Sequence, residues 1–148
     1  MRLLLDAMLG SLATYLRMCG HDAAYALDRG IEADDRLLAL ARDEDRLLVT
    51  RDAALASRAG ERALLVESRD VTDQLRDLRA AGLDLSLPDR PARCGTCNGP
   101  LAPVPTDGTT PDYAPDPADT GCFRCRDCGQ VFWRGSHWDD VRERLAGL

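Results

Sequence analysis

The residues best suited to chemistry are two Cys-x-x-Cys pairs, Cys94 with Cys97 and Cys125 with Cys128. Each pair can direct two thiolates at one ion, and four thiolates at about 2.3 Å complete a tetrahedral zinc site. Disulfides are the alternative, but no charged-then-apolar signal segment precedes the first apolar run, so we expect a reduced, cytoplasmic chain. The spacing therefore predicts one structural zinc ion, because four thiolates leave no coordination position for water.

A fifth cysteine makes the pairing ambiguous, because Cys122 and Cys125 are also spaced as Cys-x-x-Cys. We call the turn formed by each Cys-x-x-Cys pair and the residue after it a knuckle. We favour the pair that ends just before Gly129, since such a tight turn needs a residue that tolerates positive φ. Asn98 follows the other pair and can serve it in the same way. Cys122 and Cys19 are then expected to pack against neighbouring side chains and not to bind the metal.

A second candidate site is formed by Asp residues that follow predicted strands. Asp6, Asp52 and Asp70 each come after a short apolar run, and Asp34 heads the second predicted helix. Ligands of open parallel sheets bind outside the carboxyl ends of the strands, where these acids would converge. Converging carboxylates repel one another unless a cation such as Mg²⁺ or Mn²⁺ neutralises them, and such a metal suits phosphodiester hydrolysis. Each Asp alone could instead be a helix cap or a solvated loop residue.

The elements that would position these acids alternate short apolar runs with amphipathic runs over the first 81 residues. This alternation predicts βα units around a parallel sheet, that is, an α/β fold. Strands are predicted at 2–5, 23–26, 46–50 and 63–66, with helices at 9–19, 34–41, after 52, and at 71–81. Turn residues and prolines then separate a domain at 1–84 from a linker at 85–92 and a zinc ribbon at 93–148, which closes with a short helix over 138–145.

The overall charge limits the binding partners. A formal charge of −6, with arginine as the only basic residue type apart from two histidines, excludes a broadly basic nucleic-acid binder. One local patch on the ribbon is still suited to RNA, because its arginines can contact phosphates and its aromatic rings can stack on bases. It consists of Arg124, Trp133, Arg134 and His137. The alternative is that the aromatic side chains of this region cover the zinc knuckles.

Other chemistries lack their sequence motifs. No G-x-G-x-x-G or G-x-x-x-x-G-K-[ST] sequence occurs, so dinucleotide and P-loop binding are not supported. With His21 and His137 the only histidines, a Ser-His-Asp or Cys-His site is poorly supported as well. No apolar run approaches the roughly 18 residues of a membrane span, so we expect a soluble protein without a membrane partner.

Several segments resemble, in the same order, the Mut-seven C-terminal RNase family. They are residues 4–10, 16–22, 34–41 and 47–52, Gln74 with Leu75, both Cys-x-x-Cys pairs, and 133–138. The resemblance covers nearly the whole chain. It implies a PIN-like nuclease domain with a Rossmann-like parallel sheet, followed by a zinc ribbon. The activity it implies is that of a metal-dependent ribonuclease that hydrolyses RNA phosphodiesters, with an endonuclease acting on single-stranded RNA as our expectation.

The resemblance also implies site residues. It maps the family's catalytic residues onto Asp6, Asp34, Thr50 and Asp52, with one or two Mg²⁺ or Mn²⁺ ions at the Asp side chains. Thr50 would match the Thr of the family's Thr-x-Asp motif and would orient water held by the metal. For a fourth acid we favour Asp70 over Asp35 and Asp73, although none of the three lies inside an unambiguous motif.

Two alternatives remain open at the level of sequence. A non-catalytic RNA- or ribosome-associated binding module with the same fold would retain RNA without cleaving it. A toxin of the PIN kind is opposed by the ribbon and by the lack of a visible antitoxin-docking feature. The sequence does not predict the oligomeric state.

Overall fold

The computed structural model describes residues 1–148 as two sheets and five α-helices. The first sheet is built from β1 (Arg2–Leu5), β2 (Asp22–Tyr25), β3 (Leu47–Thr50) and β4 (Ala63–Leu65). The helices that follow these strands are α1 (Gly10–Met18), α2 (Asp34–Asp43), α3 (Ala53–Ala59) and α4 (Val71–Ala80). The second sheet contains β5 (Leu101–Pro103), β6 (Cys122–Cys125) and β7 (Val131–Trp133), and α5 (Ser136–Ala146) follows it. None of the helices combines the length and the apolar composition that crossing a bilayer requires.

The first sheet is entirely parallel, with the strand order β2-β1-β3-β4. Each strand is joined to the next through a helix, so the predicted α/β class with a parallel sheet and flanking helices is confirmed. The order reverses between β1 and β3, because the chain moves from β1 to β2 on one side and then returns to β3 on the other. Such a reversal leaves a crevice at the carboxyl ends of the two central strands, where ligands of open sheets bind.

Helices cover both faces of this sheet, which explains why its strands are apolar on both sides. Leu3 and Leu5 of β1 pack in one cluster with side chains of α1 and α4. Leu4 points to the opposite face and packs with side chains of α2 and α3. Alternate residues of one strand therefore serve two cores, and a near-continuous apolar run is the sequence expected for such a strand.

The last helix packs against the core of the first sheet. Val141 and Leu145 of α5 belong to the same cluster as the side chains of α1 and α4. Leu83 and Leu85, from the segment after α4, also fill this cluster. The segment predicted as a linker and the C-terminal helix thus contribute apolar side chains to the α/β core. The domain limits at 84 and 93 stay a prediction.

The start of α2 differs from the cap that its sequence suggests. Ala33 occupies the N-cap position with φ −70° and ψ 132°, and Asp34 is the first helical residue. No side-chain hydrogen bond caps this helix. The Asp34 carboxylate is therefore not used in capping α2.

The second sheet is a small antiparallel ribbon in the order β5-β6-β7. Its own core is limited to Val104, Cys122 and Val131, with Trp133 packed against them. A core of this size stabilises little on its own, so a ribbon of this kind depends on a metal or on a neighbouring domain. The four-cysteine cluster beside it is consistent with the small zinc ribbon that the sequence predicts.

Candidate functional site

The four cysteines of the two Cys-x-x-Cys pairs meet at one point of the ribbon. Their sulfur atoms all lie within 4.8 Å of one another. The closest approaches join Cys94 to Cys128 at 3.6 Å and Cys97 to Cys125 at 3.5 Å. Sulfurs bound at about 2.3 Å around a tetrahedral zinc ion lie about 3.8 Å apart, so this cluster fits the ion. The four cysteines could therefore bind one zinc ion.

Backbone N–H groups polarise the Cys125 sulfur. The N–H groups of Asp127 and Cys128 each donate to it over 3.4 Å. Burial raises the pKa of the Cys125 thiol, but these donors and the hydrogen bonds from the Cys97 and Cys128 thiols outweigh burial and lower the pKa to about 7. Burial raises the pKa of the Cys97 thiol to about 12, and its hydrogen bond with Cys125 acts in the same direction. The thiolate is the form that binds metal, so in the absence of an ion Cys125 supplies it more readily than Cys97 does.

The two knuckles depend on residues with unusual backbone freedom. φ is 72° at Asn98 after the first pair and 81° at Gly129 after the second, which confirms the prediction for both positions. Gly99 has no room for a side chain, because a Cβ atom there would lie 2.7 Å from the Cys125 sulfur.

The remaining two cysteines lie outside the sulfur cluster. Cys122 is buried in the small ribbon core beside Val104 and Val131. Cys19 is partly buried at the end of α1, where burial and the nearby Asp84 raise the pKa of its thiol to about 12. Neither sulfur belongs to the four-cysteine group, in agreement with packing roles for both residues.

A buried arginine fastens the first knuckle to the α/β domain. Arg17 of α1 is 3% exposed, and its guanidinium donates to the carbonyl oxygens of Gly95 at 3.0 Å and Thr96 at 3.4 Å, both inside the knuckle. It also donates to the carbonyl oxygen of Ala23 at 2.9 Å, and Asp28 pairs with its charge at 3.4 Å. A buried charge is tolerated only when it is paired and hydrogen-bonded, so this contact is specific.

Asn98 extends the same contact along the edge strand β2. Its Oδ1 accepts from the Ala23 N–H at 2.9 Å, and its Nδ2 donates to the Asp22 carboxylate at 2.7 Å. Burial raises the pKa of Asp22, but hydrogen bonds from Arg46 and Asn98 outweigh it and lower the pKa below its usual value. The knuckle thus occupies backbone groups that an edge strand would otherwise leave unpaired.

The predicted acids lie at the opposite, carboxyl end of the same sheet. Asp6 directly follows β1, and its carboxylate accepts from the Thr50 hydroxyl and from the Ala7 N–H, each over 2.7 Å. Thr50 ends β3, is fully buried, and its hydroxyl oxygen accepts from the Asp52 N–H at 3.0 Å. A single hydroxyl therefore links the ends of β1 and β3 at the point where the strand order reverses.

The other three acids begin helices at this edge and are exposed. Asp52 caps α3, where its carboxylate accepts from the N–H groups of Ala54 at 2.9 Å and Leu55 at 3.2 Å. Asp34 is the first residue of α2 and Asp70 is the N-cap of α4, and neither side chain makes a capping hydrogen bond. Helix N-termini carry partial positive charge, which partly offsets the repulsion among these acids.

Ion pairs separate the candidates for a fourth acid. Asp35 pairs with Arg58 at 2.5 Å, and Asp73 pairs with Arg76 at 2.6 Å. Asp70 takes part in no ion pair. Of the three candidates, Asp70 is therefore the one whose charge is not already compensated by a neighbouring guanidinium.

The carboxylates do not gather as closely as the thiolates. The four cysteines are the only set of three or more Cys, His, Asp or Glu side chains whose ligand atoms lie within 4.8 Å of one another. The edge of the sheet presents the acids at one end of the fold without bringing them into a preformed cage. The catalytic and metal-binding roles of Asp6, Asp34, Asp52 and Asp70 stay predictions.

Comparison with known proteins identifies the family of the chain. A family model described as the Mut7-C RNAse domain matches residues 1–145 and so spans the parallel sheet, the ribbon and most of α5. The chain belongs to the Mut7-C RNAse domain family. No curated protein and no solved structure matches the chain. Family membership gives this Mut7-C domain a nuclease-like role with RNA as its substrate class.

The four predicted RNA contacts of the Mut7-C domain have different surroundings. Trp133 and His137 line a cavity of about 260 Å³ between α1 and the ribbon. The guanidinium groups of Arg124 and Arg134, in contrast, donate to the carbonyl oxygens of Thr109 and Asp89. The first knuckle also docks at the amino ends of the strands, away from the acids. RNA contact by these four residues stays a prediction.

The residues that dock the ribbon in this Mut7-C domain are not predicted by the sequence. The prediction for Asn98 concerns its backbone conformation alone, and its side-chain contacts depend on tertiary structure. For Arg17 a signal was available: it lies four residues after Ala13, within the apolar stripe of α1. A charged residue on a buried stripe indicates a specific polar contact.

Proposed function

We propose that this Mut7-C domain is a divalent-metal-dependent endoribonuclease that cleaves single-stranded RNA at the carboxyl edge of its parallel sheet. The observation that carries the proposal is the buried Thr50 hydroxyl, which holds the Asp6 carboxylate where the strand order reverses. That position is the usual ligand crevice of an open parallel sheet. Membership of the family supports the ribonuclease class.

In this proposal Thr50 is a positioning residue. Its single O–H donates to Asp6, and one of its lone pairs accepts from the Asp52 N–H. The hydroxyl therefore orients the carboxylate, and its second lone pair can accept from water held by the metal, as predicted from the sequence. Asp6 becomes the fixed acid, whereas the exposed Asp34 and Asp70 can change rotamer on a fast timescale and close around a ligand.

The donor chemistry of this edge suits one or two Mg²⁺ or Mn²⁺ ions, because the available side chains are carboxylates. Asp6, Asp34 and Asp52 would hold the ion, with Asp70 as the fourth acid. When bound, such an ion positions water and neutralises charge on the phosphate during hydrolysis. A chain with a formal charge of −6 also needs a cation in order to hold a polyanion at an acidic edge.

The ribbon has two roles in this proposal. Its zinc ion is structural, because four thiolates leave no open position. Arg124, Trp133, Arg134 and His137 contact RNA outside the cleavage site. Since the ribbon docks at the amino ends of the strands, these contacts change the affinity for longer RNA and leave the cleavage step itself unaffected.

Cleavage of labelled single-stranded RNA by the zinc-loaded protein with Mn²⁺ tests the proposal. Asp6→Asn keeps the shape of the side chain and removes its charge, and we expect the rate to fall at least about 100-fold. Thr50→Val should lower the rate less, because it removes the orienting hydroxyl and leaves the acid in place. Asp73→Asn, at an acid already paired with Arg76, is the matched control and should keep the wild-type rate.

Cleavage that survives Asp6→Asn would mean that the reaction occurs at another site. Asp70→Asn, measured beside Asp73→Asn, decides the fourth acid: a defect in the first variant alone supports Asp70. Equal defects in both variants would contradict the assignment made from the ion pairs.

A second function is favoured by the spacing of the carboxylates, which do not form a close metal-ligand group. A non-catalytic RNA-binding module would retain RNA in the presence of EDTA and would show no cleavage with any divalent ion. Retention that requires Mn²⁺, together with loss of both retention and cleavage in Asp6→Asn, supports the nuclease over this module.

A further inference from the structure

The turn that carries Asp6 has an unusual residue at its third position. The N–H of Leu9 donates to the carbonyl oxygen of Asp6 at 3.3 Å and closes the turn. Met8 lies within it at φ 74°, in the left-handed region, and its side chain is 80% exposed. Glycine is the residue that normally occupies such a position without strain.

Nothing within the fold offsets the unfavourable features of Met8. A side chain in the left-handed region crowds the backbone, so methionine is strained where glycine would not be. The thioether also belongs to none of the three apolar clusters of the chain and is left in water. An exposed apolar side chain on a strained backbone beside a candidate active site favours a role in binding over a role in folding.

Other exposed apolar side chains at the same edge of the sheet indicate which kind of ligand Met8 could contact. The chain exposes five large apolar side chains, and three of them lie at the carboxyl edge of the parallel sheet. Leu27 is in the 3₁₀ turn after β2, and Leu65 ends β4 in register with Thr50. We call Met8, Leu27 and Leu65 the apolar rim. It shares the edge with the four acids, so the edge offers apolar contacts next to groups suited to a cation.

That combination matches the two chemistries of single-stranded RNA. A phosphate can be held through a cation at the carboxylates, while the unstacked bases present apolar faces that need cover. Methionine is flexible and polarisable, packs against aromatic rings, and is one of the side chains that proteins insert between bases. Its adaptability also suits contact with any of the four bases.

We propose that Met8 is a substrate-contacting residue whose side chain packs on the nucleobase next to the phosphate bound at Asp6. The inference rests on the proposed ribonuclease function and adds a residue that holds the RNA strand. It predicts that Met8 contributes to the binding of RNA and opposes the stability of the free protein, so its removal changes the two properties in opposite directions.

The test compares Met8→Gly with Met8→Leu in the zinc-loaded protein. Met8→Gly should raise Tm by about 2–4 °C, because the strain is relieved, and should raise KM for single-stranded RNA about 3–10-fold with little change in kcat. Met8→Leu keeps an apolar side chain and should keep KM close to wild type. Asp45→Gly is the matched control: Asp45 is also left-handed, at φ 53°, but lies before β3 at the opposite edge. It should leave KM unchanged.

A direct readout follows from the three methionines of the chain. With carbon-13 methyl labels, the Met8 signal, assigned through its absence in Met8→Gly, should shift when an RNA oligonucleotide is added. The Met1 signal, from the amino end of β1, should not shift.

Two results overturn the inference alone: an unchanged KM in Met8→Gly, or a static Met8 signal while RNA is bound. A wild-type protein that neither binds nor cleaves RNA overturns the proposed function, and the Met8 contact with it, even if Met8→Gly still raises Tm. A dimer that Met8→Gly dissociates would assign the apolar rim to a second copy of the chain and would also overturn the inference.

Discussion

Replacement of Asn98 by glycine tests how strongly the zinc knuckle is attached to the parallel sheet. Glycine accepts the left-handed backbone of this position, at φ 72°, without strain, so the change removes the side chain alone. Two hydrogen bonds disappear, one from the Ala23 N–H and one to the Asp22 carboxylate. The perturbation therefore separates docking from knuckle geometry.

The magnitude follows from the burial of the groups left behind. Ala23 is fully buried, so its N–H loses its acceptor out of reach of water, which costs about 1–3 kcal/mol. Asp22 keeps Arg46 as a partner at 2.8 Å, so its share of the loss is smaller. We expect the free energy of unfolding to fall by about 2 kcal/mol, which lowers Tm by about 4–8 °C in a chain of this length.

Urea unfolding at a fixed concentration of free zinc measures this change, because a bound metal shifts apparent stability by mass action. Asp45→Gly is the control, since Asp45 is also left-handed but pairs with Arg62 in solvent and makes no buried hydrogen bond. If the free energies of unfolding of the two variants differ by less than about 0.5 kcal/mol, the reasoning is refuted, because a buried N–H without an acceptor destabilises the fold by more than that.

Two further predictions concern the metal and pH. Cys94→Ser replaces a fully buried ligand. We expect the zinc content, measured by atomic absorption, to fall from about one ion per chain to near zero, and α1 to lose amide-exchange protection. Full zinc content in the variant would contradict the four-cysteine site. The lowered pKa of Asp22 predicts a contribution to stability that is complete above the ordinary Asp pKa of about 4 and is lost as pH falls through the pKa of the folded state. The urea midpoint should therefore drop on acidification, and it should drop less in Asp22→Asn. Equal pH dependence of the midpoint in both proteins would show that Asp22 is not the group responsible.

The parts that sequence predicts well are those set by local spacing. The Leu-rich run of β1 is apolar at every position because helices cover both faces, and that requirement is visible in the residues themselves. The cysteine ligands are visible for the same reason: each pair needs two thiols three residues apart and a residue that tolerates positive φ. Gly129 and Asn98 supply that residue.

The parts that sequence does not predict are set by distant contacts. Asn98 and Ala23 are far apart in the chain, and only the folded sheet brings the amide of one to the backbone of the other. The same holds for the Thr50 hydroxyl, whose partner Asp6 lies at the start of the chain. At α2, local propensity favours Asp34 as the cap, yet the chain enters the helix one residue earlier and leaves that carboxylate uncommitted.

The packing of α5 has a consequence for biosynthesis. Val141 and Leu145 complete a core whose other side chains come mainly from β1, α1 and α4. About 60 residues separate α4 from these two side chains, so a ribosome that adds about 5–20 residues per second needs roughly 3–12 s to supply them. During that interval the nascent α/β domain exposes the apolar surface that α5 later covers, and the ribbon cysteines leave the ribosome first. All four cysteines that could bind a zinc ion are thus available before the side chains of α5 that complete the core.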